Sequence, residues 1–549
     1  MTGTATVAPP ASPATPEAAP RHSWLAVVVP LAVLAIAAGF IVDAGRGSTF
    51  FYDEWVWIMH RRSPGEASLL EPFNNHLMAF PIVTYQVLER VVGLGSQAPY
   101  RLVVLVGHLA TCGLLYVYLR RRVGWVLGLC GAAVFAFFGY AWPVIIWPIS
   151  IGWVYATTAG VGALLLVDRD TRRADLGAAA ALLAGVLSSG IAVPFVLGLT
   201  VELALRRAWR RIYVPGVALV VFGIWYLAYG TGTNDRGTVG QILRFGEKLL
   251  AQTFGTLIGV DDRGTAAHVV LAVVAVALVA LWLAVGRPHT PRLVGNTVAL
   301  VAFTALLSYS RATSGLTQWH SYAAAVFVLL VLGELLAGRN IAVVPTIVVA
   351  VVVLWSIVWN LGELGDGADL QRFRAEEMRA QLAAVELAGP AMNPDYDVGP
   401  LLVATKAGPY LEVAEEYGSP AYSLAELRRA PAHARRAADV ALVDGTGVRV
   451  DRRRVPSLVC EPLVPQRTGE VVVRDPDPSL LVAASDGPAT LYAGAAGGRG
   501  ARVGTVPSGT AAGFRAPALR GRVPWTVRVT TDGSVAVCRT DRRSVRVSP

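Results

Sequence analysis

Apolar residues gather into runs of about 15 to 20 along the first two thirds of the chain, separated by short polar segments. Wound as helices, runs of that length match a bilayer core of ~30 Å. In order they cover Trp24–Val42, Arg101–Leu119, Trp125–Tyr140, Ile151–Val167, Ile212–Tyr229, Ala267–Val285, Leu293–Ser310, Ser321–Ala337 and Ile341–Leu361. The stretch Asp175–Leu205 has basic residues at both ends, Arg172-Arg173 and Arg206-Arg207. One crossing would put those clusters on opposite sides, so it reads as two short helices meeting at Ser188-Ser189-Gly190. Leu77–Leu94 is apolar too, but it carries Pro81, Gln86, Glu89 and Arg90 and reads as a helix lying in the interface. Eleven spans result.

Charge orients them. With the N-terminus in the cytoplasm, the Arg clusters at 120–122, 169–173, 206–211 and 287–292, and Arg339, all fall inside. Making Leu77–Leu94 a span would throw every one of them outside. The expected location is the plasma membrane, multi-pass. Residues 1–22 form a disordered cytoplasmic tail rich in Pro, Ala and Thr. The first run is a retained span rather than a cleaved signal. The outside connections are then the loop holding Asp53-Glu54, the aromatic loop Ala141–Ser150, the turn at Ser188-Ser189-Gly190, the polar stretch Gly230–Ala266, and Arg311–His320.

Composition agrees. Of 549 residues, 54% are hydrophobic and 16% charged, against about 25% charged in soluble domains. The net charge is +10, yet residues 1–361 hold 24 basic and 16 acidic side chains, and the rest 24 and 22. The excess belongs to the membrane half. No basic stripe with interleaved aromatics occurs, which argues against a nucleic-acid partner.

From 362 onward the pattern changes. Asp369–Ala388 reads as an amphipathic helix, and short apolar runs follow at Val471–Val473, Leu480–Val482, Thr526–Val529 and Val535–Val537. The predicted fold is thus a polytopic α-helical membrane domain (23–361) and an extracytoplasmic α/β domain with a β-sandwich-like end (362–549). Cys112 and Cys130 lie in spans and read as packing residues. Cys460 and Cys538 are alone in the outer region; they suit a disulfide there, with two unrelated thiols as the alternative.

Candidate chemistry starts at Phe50-Phe51-Tyr52-Asp53-Glu54-Trp55-Val56-Trp57, two acids among five aromatics just past the first span. Acids beside a bilayer are costly and tend to be functional. An enzyme outside the membrane has no ATP or nucleotide sugar, so a lipid-activated sugar is the available donor. Its transfer needs a base, cations for the departing phosphate and aromatic faces for sugars. Asp53 and Glu54 are the acids. Arg236, Lys248, Arg263, Arg311 and His320 are the candidate phosphate contacts. Trp55, Trp57, Trp142 and Trp147 are the stacking candidates.

The acidic pair in the first outer loop, the amphipathic segment after it, the apolar hairpin Leu187-Ser188-Ser189-Gly190-Ile191-Ala192-Val193-Pro194 and the outer C-terminal domain resemble the GT-C superfamily of polyprenyl-phosphate-sugar-dependent membrane glycosyltransferases. The resemblance covers about residues 22–361 and no particular subfamily. It implies that Asp53 is the catalytic base with Glu54 beside it. It likens Asn74-Asn75-His76 to the polar patch that follows the acid, with His76 at the substrate. It also implies a polyprenyl-phosphate sugar donor, a glycan or lipid acceptor and, in some relatives, a divalent cation (magnesium or manganese) that Asp53 and Glu54 would hold. Two other readings stand beside it: a polysaccharide polymerase or ligase using lipid-linked glycans, and a transporter or scaffold carrying a carbohydrate-binding domain.

Overall fold

The computed structural model describes residues 24–62, 69–230, 237–260, 265–273, 290–339, 343–451 and 462–539. The first apolar run forms α1 (Leu25–Ala44), on which Val27, Leu31, Ile36 and Phe40 are exposed, a face that suits lipid, with Phe40 also meeting Phe137 edge-on. After it come the short α2 (Asp53–His60) and α3 (Ala79–Val92). α3 has 14 residues and carries Gln86, Glu89 and Arg90, the polar content on which its interfacial reading rests.

The helix α4 (Ala98–Ala136) is two antiparallel arms. It reverses at Gly124, whose φ of 83° favours a residue without Cβ. Gly128 then lies so close to Arg120 that a Cβ would come within 2.8 Å of its nitrogen. A brief α5 (Trp142–Ile145) leads to α6 (Ile151–Val167). Next come α7 (Arg172–Val186) and α8 (Val193–Leu205), joined through Leu187–Ala192 where the sequence placed the turn. The bundle continues with α9 (Tyr213–Tyr229), the amphipathic α10 (Val239–Leu257), α11 (Pro291–Arg311) and α12 (His320–Leu335). Ten of the eleven predicted spans fall on described helices; beyond residue 273, Ala267–Val285 lies outside the described residues.

The Arg-bearing loops converge at one end of the bundle. Arg122 pairs with Asp168 (3.2 Å) and with Glu334. Arg292 reaches Asp168 (2.8 Å) and Glu202 (2.5 Å), and Arg211 holds Asp170 and Asp175. Gly338 N–H donates to the Arg122 carbonyl, which brings the loop after α12 to the same place. Asp53 and Arg311 lie at the ends of helices that face the other way.

The last span does not stop at the predicted boundary. α13 (Val343–Ala388) runs through 361–362 without a break; its 46 residues span about 69 Å. Three helices pack near its outer half: α14 (Ala407–Tyr417), α15 (Leu424–Arg429) and α16 (Ala432–Thr446). Beyond them lies one antiparallel sheet of seven strands, rather than the two of a sandwich. Its strands are β1 (Val450–Asp451), β2 (Pro462–Asp475), β3 (Ser479–Ala484), β4 (Ala489–Gly494), β5 (Ala501–Val506), β6 (Thr510–Arg515) and β7 (Trp525–Arg539). β2 runs along one edge of β7. The other edge is shared by β4, at 526–531, and β3, at 535–539. The two arms curl together, so that β5 touches β1, β3 and β6 and the sheet nearly closes. Cys538 is buried on β7 in register with Pro462, while Cys460 lies outside the described residues.

Candidate functional site

Asp53 and Glu54 begin α2, and that decides their fates. Neighbours on a helix diverge by about 100°. Asp53 lines a cavity of about 310 Å³ at the mouth of the bundle. Glu54 is fully buried behind it.

The Asp53 carboxylate accepts a hydrogen bond from Asn74 Nδ2 at 3.0 Å. Asn74 is held by a tight turn. Phe73 and His76 exchange backbone hydrogen bonds of 3.0 and 2.9 Å, with Asn74 (φ 50°) and Asn75 (φ 66°) between them. Two successive positive-φ residues in a two-residue hairpin are where asparagine is tolerated best. Arg311, at the end of α11, donates to the Asn74 carbonyl at 3.3 Å, so one turn joins the acid to the cation. Burial raises the Asp53 pKa above its ordinary 3.8, opposed by the Asn74 hydrogen bond and the Arg311 charge. Burial, with Arg311 adding to it, pushes the His76 imidazole down to about 4.

His320 opens α12, buried, with its Nε2 accepting from Trp319 Nε1 (3.0 Å) and its Nδ1 against Thr317 (3.1 Å). Trp147, Trp153 and Trp319 complete the walls. The α7–α8 turn backs this site: a Cβ on Gly190 would come within 3.0 Å of His76 Nδ1. The cavity therefore joins an acid, a cation, two imidazoles and three indoles.

Of the residues expected from sequence, Asp53, His76, Trp147, Arg311 and His320 line this one cavity. Others do not. Glu54 cannot share the base role, because its oxygens are taken by Phe51 N–H (3.0 Å), Tyr85 O–H (2.8 Å), Gln97 Nε2 (2.8 Å) and Trp147 Nε1 (2.9 Å). Trp55 is core, its indole donating to the Phe50 carbonyl and its ring edge-on to Tyr410. Trp57 is core against Phe73 and Tyr85. Lys248 lines a neighbouring cavity of about 1080 Å³ with Arg244 and His268, and Gly315 borders both. Trp142 lines a third, of about 470 Å³, with Tyr140, Glu363 and Asp366. Arg236 and Arg263 lie outside the described residues.

A divalent cation shared by Asp53 and Glu54 does not fit this donor set, since Glu54 offers it no lone pair in the cavity. Among the described residues no group of three or more His, Cys, Asp or Glu side chains converges. Sequence reasoning missed Trp153 and Trp319 as walls and Asn74 as the partner of Asp53. The Asn-Asn pair between Phe73 and His76 was the available signal, as a hairpin turn.

Fold and site together define a multi-pass membrane protein with an acid-bearing cavity at one mouth of its bundle and a β-rich C-terminal domain. Similar solved structures include ArnT from Cupriavidus metallidurans bound to undecaprenyl phosphate, at 15% identity and TM-score 0.42 over 68% of this chain and 82% of that one. The apo state of the same protein matches at 14% identity and TM-score 0.46, over 74% and 91%. Arabinosyltransferase EmbB from Mycobacterium smegmatis matches at 14% identity and TM-score 0.33, over 96% of this chain and 65% of that one. No protein-family model matches the chain, and no curated protein does.

Proposed function

We propose that this protein transfers a sugar from a polyprenyl-phosphate donor to a glycan or lipid acceptor outside the plasma membrane, with inversion, as the GT-C resemblance implies. The observation that carries the reading is the joining of Asp53 and Arg311 through one turn, inside a cavity walled by indoles.

The acceptor hydroxyl oxygen attacks the anomeric carbon and gives its proton to Asp53. The bond from that carbon to the phosphate oxygen breaks, and its electron pair leaves with the polyprenyl phosphate. Arg311 faces the charge that develops there. His76, neutral above pH 5, orients hydroxyls without competing for the phosphate. Trp147, Trp153 and Trp319 offer stacking faces. Attack from the side opposite the phosphate inverts the anomeric centre.

Membranes containing the protein, given labelled undecaprenyl-phosphate sugars, test this. Transfer to an endogenous acceptor that fails in Asp53→Asn supports the reading; no transfer from any donor by a folded protein overturns it. The outward orientation of the cavity rests on the positive-inside pattern. Reporter fusions after residues 122, 211 and 400 check it, and a cytoplasmic signal at 400 would overturn it.

A further inference from the structure

The reaction above leaves Glu54 without a role, although its surroundings are built with care. Its two oxygens take five contacts from four residues: Phe51 N–H at 3.0 Å, Tyr85 O–H at 2.8 Å, Gln97 Nε2 at 2.8 and 3.1 Å, and Trp147 Nε1 at 2.9 Å. These donors come from the approach to α2, from α3, from the start of α4 and from the loop before α6. Gln97 is itself oriented: its Oε1 accepts from Arg101 Nη1 and from Ser48 Oγ, each at 3.1 Å, so its amide N–H groups must face Glu54. A charge lies one residue away rather than in contact. That arrangement keeps a carboxylate satisfied without an ion pair.

Of the four partners, only Trp147 lines the Asp53 cavity. It is 4% exposed, with its ring 4.4 Å from Phe51 and 5.9 Å from Trp319 between centroids. An indole N–H can only donate. With its acceptor gone it would be buried and unpaired, and the ring would be free to tilt into the cavity or let water in behind it. Glutamine at 54 could keep this bond, its amide oxygen taking the place of Oε2 and its NH₂ facing the Tyr85 hydroxyl, so an apolar residue such as leucine is needed to remove the acceptor.

We propose that Glu54 is a positioning residue that locks the Trp147 indole as a sugar-stacking wall, setting affinity for the sugar ring while Asp53 moves the proton. The proposal rests on the glycosyl-transfer reading for its kinetic part only. The indole lock itself is a property of the unliganded protein.

Two measurements on the full chain separate these parts. In ¹⁵N-indole spectra, Trp147→Phe identifies the Trp147 signal; Glu54→Leu, which removes the acceptor, should move it upfield and broaden it. An unmoved signal overturns the lock, whatever the reaction. In kinetics with a labelled undecaprenyl-phosphate sugar, Glu54→Leu should raise KM by about fivefold to a hundredfold, the cost of leaving a buried donor unsatisfied, with kcat little changed. Trp147→Phe should raise KM as well, and the double variant should be no worse than the worse single one, because both remove the same contact. Additive losses, or a fall in kcat at unchanged KM, overturn the proposal. Should Glu54→Leu fail to insert, Glu54→Asp, which keeps the carboxyl group but shortens its reach, carries the same two tests. A wild-type protein that transfers no sugar refutes the reaction and leaves the spectra to judge the lock.

Discussion

Replacing Asp53 by asparagine should abolish transfer while leaving the fold in place, and the structure gives a reason for each half. Asparagine has the same volume, and its carbonyl can still accept from Asn74 Nδ2, now at 3.0 Å. The raised pKa of Asp53 shows that burial costs its charged form more than Asn74 and Arg311 return. A neutral amide escapes that cost, so the variant should be no less stable than the wild type. What it loses is proton acceptance. Removing a general base costs about 10²–10⁴-fold in rate, or about 2.7 to 5.4 kcal/mol of barrier. The loss should appear in kcat, since the walls and Arg311 that bind the donor are intact. The assay is single-turnover transfer from a labelled undecaprenyl-phosphate sugar, beside thermal unfolding of the purified protein. Wild-type turnover in Asp53→Asn would refute the assignment. So would a loss of activity matched by a loss of folded protein.

The acid limb of the pH–rate profile should lie above the ordinary aspartate midpoint of 3.8, because the base must be ionised and its pKa is raised; activity that holds level down to that pH would count against Asp53. Arg311→Gln should move that limb to still higher pH, since Arg311 is one of the groups lowering the Asp53 pKa, and should raise KM for the donor; a limb that stays put would uncouple the two residues. At the opposite end, Arg292→Ala leaves the buried Glu202 (1% exposed) with Arg206, at 2.7 Å, as its remaining ion-pair partner and should cost about 1.5–3 kcal/mol, the value of a charged hydrogen bond, in unfolding measurements, whereas a loss under about 0.5 kcal/mol would show the network to be ornamental. Cys460 and Cys538 should resist alkylation until reduced, and closing that long loop should stabilise the outer domain by about 2–4 kcal/mol; two thiols that label without reductant would refute the pairing.

The spans were legible because run length and positive charge are independent signals that agree. Arg120–Arg122 forecast a reversal, and Gly124 supplies it. The basic residues flanking Asp175–Leu205 forecast a turn, and it falls at Leu187–Ala192. Glu54 was misread because a pair of acids in a loop would both face solvent, whereas Asp53 is the first residue of a helix and sends its neighbour inward. In the C-terminal region, Asp532-Gly533 looks like a hairpin turn between two strands. It lies instead inside β7, at the point where that strand's neighbour changes from β4 to β3. There Gly533 approaches Gly487 so closely that a Cβ would sit 2.5 Å from its nitrogen. The glycine is required by a close approach between strands, and a local signal cannot tell the two causes apart. At 361–362 the composition changes while the helix α13 runs on unbroken, because a helix can continue across a change of composition.

That unbroken helix bears on how Asp53 is aimed. Tyr52, just before the acid, has a φ of 53°, a region costly for a residue with a bulky side chain. Its N–H donates to the Leu401 carbonyl at 2.7 Å, and Leu401 belongs to the C-terminal region. Nearby, Leu94 N–H donates to the Tyr417 carbonyl at 2.8 Å, Trp55 meets Tyr410 edge-on, and the Arg374 guanidinium lies 5.6 Å from the Phe51 ring. Arg374 is on α13, so the helix that leaves the membrane also reaches the aromatic wall beside the cavity. A strained residue persists only where its surroundings over-determine it. Here Glu54 supplies the carboxylate behind Phe51, and the C-terminal region supplies the carbonyl above Tyr52. Neither half of the chain sets the direction of Asp53 alone, which makes the C-terminal domain part of the site's geometry rather than an appendage to it.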